Sequence, residues 1–446
     1  MWSLYSERAE AQGKDRNLSW GDRVLLAGTR IGAVADYHLS WRKGAVLNRI
    51  GDEKPNTSSA IAEAKRAART AFGEQTQPDL EDVLKAVSDT ANTLGVPLEG
   101  DLQALLNAHS ISLSGGTISV HDSNGLPLSS LGLGSSRLLV AGLLEKAKVG
   151  SNIILVDELE HGLEPHRIIR FLDAIGAKDP SQKAQCFVTS HSPVVLRELS
   201  SDQLFRLCPD DNKHVIFGSK VDDNSQGTLR SYPEAFLAKS IILCEGASEV
   251  GFIRGFDQYF VSQGQTSIWS KGVMLLNTGG VSKLYKPAST LQGLEYRIAS
   301  FRDDDVSPDV TAEAVFEDNS GTVFKWGPGK KIEAAIIDAA DDNLFAKIME
   351  LGKEFIGDDV ANEQIKSASD NETDFAKIMY EATDGEVSQE DNDWLITACT
   401  TKHNSWFKSV SRMETLARDV IAPSLDSMLP EFREVVEEIF TWARDG

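Results

Sequence analysis

The chain has 446 residues, 41% of them hydrophobic, and its 67 acidic side chains against 45 Lys and Arg give a formal net charge of −22. That length accommodates two or three domains with real cores, and no run of about 18 apolar residues marks a membrane helix. Met1-Trp2-Ser3 runs into charged sequence, unlike a secretory leader, and four scattered cysteines (Cys186, Cys208, Cys244, Cys399) without a CxxC pair point away from zinc and disulfide frameworks and toward a reducing cytoplasm.

The acidity is concentrated. Residues 301–400 hold 25 acids and 8 bases, −17 of the −22. Such a chain is not built to coat DNA nonspecifically, but a site that grips phosphate through bound cations remains open to it.

In chain order, residues 1–50 mix strand-like pieces such as Val24-Leu25-Leu26 with turns. Ser58–Phe72, Ala-rich with Lys65, Arg66 and Arg69, reads as an exposed helix, and Leu80–Leu94 as another. His109–Val120 alternates like a hairpin around Ser114-Gly115-Gly116, where a tight turn needs glycine. Its letters LSGG (Leu113–Gly116) would have to open a helix to present backbone N–H groups to a phosphate. LGLGSSRL (Leu131–Leu138) is better placed for that, directly before the helical run LLVAGLLEKAK.

SNIILVDELEHGLEPHR (Ser151–Arg167) is the strongest signal of the first half. Ile153–Val156 reads as a buried strand with Asp157 and Glu158 at its carboxyl end, where an Asp holds Mg²⁺ and a Glu orients water in phosphoryl-transfer sites. CFVTSHSP (Cys186–Pro193) is another buried strand, ending in His191. Taken in order, these stretches resemble the signature, Walker B, D-loop and His-loop of ABC-type ATPases. The resemblance implies that Asp157, Glu158 and His191 line a nucleotide site, with Gly132, Gly134, Ser135 and Ser136 acting in trans.

No GxxxxGK[ST] occurs; Gly13-Lys14 and Gly329-Lys330 lack the rest of the motif. The expectation is a partial ATPase domain over residues 1–225 without its Walker A lobe. It would not hydrolyse ATP alone and would bind ATP only with a partner chain supplying Walker A. Strands at Gln203–Leu207 and His214–Phe217 are expected to close this half, and SKVDDNSQG (Ser219–Gly227) has linker composition.

The second half, 228–446, is organised around KSIILCEGASE (Lys239–Glu249). Ser240–Cys244 is an apolar run of the kind buried on both faces of a parallel sheet. It ends in Glu245-Gly246, and Glu249 falls in the first turn of an amphipathic helix. GVMLLNTGGVSKL (Gly272–Leu284) reads as strand, glycine turn and helix; Gly279-Gly280 either permits close approach to a phosphate or simply joins the elements. RIASFRDDD (Arg297–Asp305) again runs a strand out into acid. Strand period puts Asp303 and Asp305 on one side and Asp304 on the other, though a D-D-D run leaves open which two would bind metal. Carboxylates gathered at strand ends repel unless cations bind them, and hard oxygen ligands suit Mg²⁺ or Mn²⁺.

In VFKWGPGKKIEAAIID (Val323–Asp338), Glu333 opens a helix, either as a further ligand or as an acid suited to the helix dipole. Acidic helices over about 340–395 read as a helical insertion. TTKHNSWFKSVSRMETLA (Thr400–Ala417) then restores positive charge near aromatics. Lys408, with Lys402 second, is the candidate to stabilise developing charge; exposed lysines flanking a buried Trp406-Phe407 are the plain alternative.

Strand-Glu-Gly followed by strand-Asp-x-Asp resembles the Toprim domain, and an ABC-type ATPase followed by Toprim resembles the OLD (overcoming lysogenization defect) nucleases and the related Gabija-type defence nucleases. The fold so implied is α/β, a partial ATPase domain and then a Toprim domain with a parallel sheet flanked by helices. The resemblance implies cleavage of DNA by two metal ions, ATPase-linked regulation, a homo-oligomer or a partner chain, and a role in phage defence. Glu245, Glu249, Asp303 and Asp305 become metal ligands, with Glu333 a weaker addition. The rival expectations are a noncatalytic scaffold and an SMC-class ATPase switch, which calls for a Walker A and a coiled coil that the sequence lacks.

Overall fold

The computed structural model describes residues 3–4, 16–17, 28–32, 36–41, 45–50, 71–106, 118–147, 153–179, 184–210, 213–401 and 404–445. The chain divides into two compact units, Met1–Leu199 and Ser200–Gly446. Among the described residues no helix is long and apolar enough to cross a membrane.

In the first unit, strands β1 (Thr29–Ile31), β4 (Ile153–Val156) and β5 (Gln185–Val188) form a parallel sheet in the order β1-β4-β5. Between β1 and β4 lie helix α1 (Ala71–Leu94), the antiparallel pair β2 (Gln103–Leu106) and β3 (Ile118–His121), and helix α2 (Leu133–Lys146). Helices α3 (Pro165–Ala174) and α4 (Pro193–Glu198) follow β4 and β5. Helix α2 is buried from Gly134 to Leu143, which matches a sequence apolar all round its axis. Its Gly142 lies so close to α1 that an added Cβ would stand 2.5 Å from Leu94 Cδ1. The LSGG stretch and most of the Ala-rich run lie outside the described residues.

The second unit opens on the hairpin β6 (Phe205–Asp210) and β7 (Lys213–Gly218). Arg206 donates from Nη1 to the Leu294 carbonyl at 2.6 Å and stacks 3.8 Å above the Tyr296 ring, so the hairpin belongs here and does not close the ATPase half. The stretch with linker composition also differs from expectation. Asp222 caps helix α5 (Asp223–Ser231) by accepting from Ser225 N–H at 2.6 Å, so its polar residues start a helix.

Strands β8 (Ser240–Cys244), β9 (Val273–Asn277), β10 (Arg297–Arg302) and β11 (Thr322–Lys325) then form a four-stranded parallel sheet in the order β9-β8-β10-β11. All five residues of β8 are buried, as an apolar run without alternation requires. Helix α6 (Ala247–Ser262) connects β8 to β9, α7 (Ala288–Gly293) leads to β10, α8 (Val310–Asp318) to β11, and α9 (Ile332–Asp338) follows. The chain steps from β8 to β9 on one side and from β10 to β11 on the other. Ligands of open α/β sheets bind where such steps diverge, here at the carboxyl ends of β8 and β10.

Helices α10 (Asp342–Ile356), α11 (Asp358–Ala368), α12 (Phe375–Asp384) and α13 (Gln389–Cys399) follow. Helix α14 (Val410–Leu416), a π turn over Ala417–Ile421 and α15 (Pro430–Arg444) complete the unit. Helix α14 packs on α6 through a glycine ridge. An added Cβ would stand 2.4 Å from the Val410 carbonyl oxygen at Gly251, and 2.4 Å from that of Glu414 at Gly255. Between these glycines Phe252 and Ile253, like Phe256 beyond them, are fully buried, each contributing about 1.5–3 kcal/mol by leaving water. The Arg254–Glu414 ion pair (2.7 Å) at the edge is partly exposed and contributes at most about 1 kcal/mol.

Candidate metal centre

Three separate segments meet at the carboxyl ends of β8 and β10. Glu245 leaves β8 with its N–H donating to the Phe301 carbonyl (3.0 Å), and its Oε2 accepts from Asp303 N–H (3.3 Å). Glu249 turns back in the first turn of α6, where Oε2 accepts from Gly246 N–H at 2.7 Å. Asp303 Oδ1 accepts from Ile332 N–H at 2.9 Å, pinning the start of α9 and placing the adjacent Glu333 beside the other acids. Glu249 and Glu333 are 3% and 6% exposed.

Burial and mutual repulsion make these carboxylates keep their protons. Burial, followed by the charges of Glu249, Glu333 and Glu245, pushes Asp303 up to about 9. Glu249 is raised to about 7, again by burial first, with Glu245 and Glu333 adding to it against the Gly246 hydrogen bond. Burial also raises Glu245 and Glu333; Asp305 adds to both, while Lys408 and Lys331 pull Glu333 down. Lys331 Nζ lies 3.7 Å from Asp305 Oδ2. Among the described residues no three of these groups already enclose a metal position, and like charges without a cation stand apart. The donor set fits a hard divalent cation: buried carboxylate oxygens whose mutual repulsion such an ion would relieve.

The three aspartates part company. Asp304 accepts from Arg302 Nη1 (3.1 Å) and Gly329 N–H (3.1 Å) and lies 3.6 Å from Lys325 Nζ. Arg302, 2% exposed, also donates to the Asp303 carbonyl (2.7 Å) and forks onto Glu313 (3.0 and 3.1 Å). Glu313 takes a further hydrogen bond from Tyr285 (2.7 Å). Asp304 thus anchors the turn, while Asp303 and Asp305 share electrostatic contact with the glutamates. An arginine directly before the acid run was the available signal for this anchor. Lys408 is exposed after the buried Trp406 and Phe407, and its charge reaches Glu333. Lys402 lies outside the described residues.

The acids of the first unit sit in another setting. Asp157 is half exposed and accepts from Thr189 Oγ1 (2.9 Å) and Arg30 Nη2 (2.9 Å), which hold its carboxyl below the usual range. Glu158 has φ +45°, and its N–H donates to the Thr189 hydroxyl oxygen (2.9 Å). Glu160 accepts from Ser190 Oγ and His191 N–H, both at 2.7 Å, leaving the His191 side chain exposed.

Helix α2 starts inside the LGLGSSRL motif, at Leu133, with Gly132 as its cap. Gly134 approaches the 158–163 turn so closely that a Cβ would stand 2.1 Å from the Gly162 carbonyl oxygen. Ser135 and Ser136 are buried, and Ser135 Oγ accepts from Arg167 (3.0 Å). Arg137, wholly buried, donates to the carbonyls of Asp157 (2.9 Å), Glu158 (3.0 Å) and His161 (2.6 Å). This arginine holds the acid-bearing turn, and its place in an apolar helix was the only hint of it.

Residues 4–197 match the family model described as "AAA domain, putative AbiEii toxin, Type IV TA system". Residues 236–305 match that of the "Overcoming lysogenization defect protein-like, TOPRIM domain". Among solved structures, the C-terminal region of the OLD protein of Xanthomonas campestris pv. campestris is 13% identical over 43% of this chain and 98% of its own, with a TM-score of 0.21, too slight a likeness to bear on the fold. No curated protein matches the sequence.

Proposed function

We propose that this chain, an AAA-type ATPase domain followed by an OLD-like Toprim domain of the OLD family, is a metal-dependent DNA endonuclease regulated by its ATPase half. Toprim domains bind divalent metal ions. The observation that carries the reading is the gathering of Glu245, Glu249, Asp303 and Glu333 where the steps of the sheet diverge, each with its carboxyl raised by burial and by its neighbours.

Glu245, Glu249, Asp303 and Asp305 would hold two Mg²⁺ or Mn²⁺ ions, with Glu333 at the margin. Bound there, the ions supply an activated water and stabilise the leaving oxygen. The Arg302 anchor fixes the turn between the two aspartates, which limits how far their carboxylates would have to move to hold a shared cation. Lys408 comes from a fourth segment and would offset negative charge developing beside Glu333. Regulation would come through Asp157, Glu158 and His191, with ATP held together with a partner chain that supplies Walker A. Phage defence belongs to the proposal through the family alone.

A second reading, a noncatalytic scaffold, draws on the Arg30 guanidinium seated against Asp157, where a nucleotide's Mg²⁺ would go. Plasmid nicking with Mg²⁺ or Mn²⁺ and no ATP separates the two. The nuclease reading expects nicked circles from the native chain and none from Asp303→Ala or Glu245→Gln. Intact plasmid throughout, with metal bound, leaves the scaffold standing.

A further inference from the structure

We infer that a cavity beside the carboxylate cluster seats the backbone phosphate of the nucleotide next to the scissile bond, so that a single DNA strand is threaded between α5 and the loop after β9. The inference rests on the nuclease reading and adds to it where the strand runs.

The cavity has a volume of about 320 Å³ and lies between one face of α5 and residues 278–287, at the small end of the roughly 300–1,000 Å³ typical of ligand sites. Lys283 and Lys286 line one wall; Thr228 and Tyr232 line the other. Among the described residues neither lysine lies in an ion pair, and Asp223 is the one carboxylate of the lining. Two ammonium groups against one carboxylate make this a cationic spot on a chain of net charge −22. A phosphodiester chain has few such places to rest on this protein.

The wall also touches the chemistry. Thr278 lines the cavity, and its hydroxyl donates to the Cys244 carbonyl (3.0 Å) and reaches that of Glu245 (3.4 Å). Gly280 N–H donates to the same Glu245 carbonyl at 2.7 Å. Gly279 and Gly280 take φ of +76° and +118°, and nothing lies within 4 Å of where a Cβ would be on either. The loop therefore bends tightly around Glu245 while its outer side stays open. A phosphate resting on Lys283 and Lys286 would place the following phosphate of the strand toward Glu245 and Asp303. A free nucleotide or inorganic phosphate shares the chemistry of the anion but not the second phosphate.

The test uses the full chain and a fluorescent single-stranded oligonucleotide, with Ca²⁺ replacing Mg²⁺ so that binding is read without cleavage. Lys283→Ala/Lys286→Ala should weaken binding by about tenfold and lower the salt slope by about 1.4, the value for two lost single-strand phosphate contacts. Ser231→Trp, which fills the cavity from its rim and leaves both lysines in place, should weaken binding as well. With Mg²⁺ the double variant should raise KM and keep kcat within about twofold. Unchanged affinity and slope would overturn the inference, as would a loss confined to kcat, which would assign the loop to the carboxylates. Displacement of the strand by millimolar inorganic phosphate as readily as by unlabelled strand would also overturn it. Should the native chain bind the strand as described yet nick nothing, the nuclease reading fails while the strand site stands.

Discussion

Two strand ends rich in acid, Asp157-Glu158 after β4 and Glu245 with Asp303 after β8 and β10, look alike in sequence and differ electrostatically. Asp157 is exposed and already neutralised by Thr189 and Arg30, so its proton is held weakly. Asp303 and Glu249 are buried among other carboxylates and bind protons tightly. A protein cation completes the first site, whereas the second is complete only with protons or metal ions. Whether an acidic strand end offers a place for a divalent cation is thus set by what the neighbouring segments bring, not by the acids themselves.

The largest effect that would break this contrast is on cleavage. Asp303→Ala should lower plasmid nicking by about a thousandfold or more, the scale of losing a charge-stabilising group at the reacting centre. Asp304→Asn, which disturbs the Arg302, Gly329 and Lys325 contacts that anchor the turn, should cost about 10–100-fold. Equal losses in the two variants would mean that the middle aspartate is a ligand after all.

Next in size is the packing that brings α14, and Lys408 just before it, to the carboxylates. Gly255→Leu forces the α14 backbone away and should destabilise the second unit by about 3 kcal/mol in urea unfolding. Gly227→Ala, with nothing within 4 Å of the new methyl, is the matched control and should change stability by well under 1 kcal/mol. A Gly255→Leu chain that unfolds at the native urea concentration would remove the glycine ridge from this account.

The pH dependence should run in opposite directions at the two sites. The folded carboxyl of Asp303 is raised above its unfolded value of about 4, so its stabilisation is whole below that pH and is lost as pH rises through about 9. Glu249 adds a loss of the same sign around pH 7. The metal-free protein should therefore melt at progressively lower temperature across this window. Asp303→Asn should flatten the decline, and saturating Mg²⁺ should offset it. A metal-free melting temperature that climbs from pH 5 to pH 9 would contradict the clustering of these carboxylates.

The smallest effect belongs to Asp157. Its folded carboxyl is depressed, so what it contributes is present at neutral pH and lost as pH falls through the acid range. In Arg30→Gln, a ¹³C titration of this carboxyl should move upward toward the ordinary aspartate value. An unmoved titration would show that the guanidinium contact does not persist in solution.

Much of the second unit was legible because its signals are short and local. The unbroken apolar run of β8 and the two acid-ended strands state a parallel sheet and its ligand end directly. Glu333 was legible as a helix opener, though its nearness to Asp303 comes from the Ile332 hydrogen bond, which no spacing in the sequence reveals. The same holds for Arg302 with Glu313 and for Arg137 beneath the Asp157 turn: a buried arginine announces a network but not its partners. The hairpin β6-β7 was given to the wrong half because strands carry no mark of the neighbour they join. There the Arg206–Tyr296 stack decides. The GxxxG spacing of Gly251 and Gly255 was in plain view, and only the facing carbonyls of Val410 and Glu414 give it meaning.

That glycine ridge also governs when the site can come into being. A ribosome releases β8, α6 and both acid-ended strands more than a hundred residues before α14, the helix that lies on Gly251 and Gly255. Until α14 emerges, one side of α6 is bare and the segment bearing Lys408 has no seat. A nascent chain stalled short of Val410 would carry the acidic half of the centre with its lysine made but not yet seated, and the centre would be assembled only once synthesis had passed that helix.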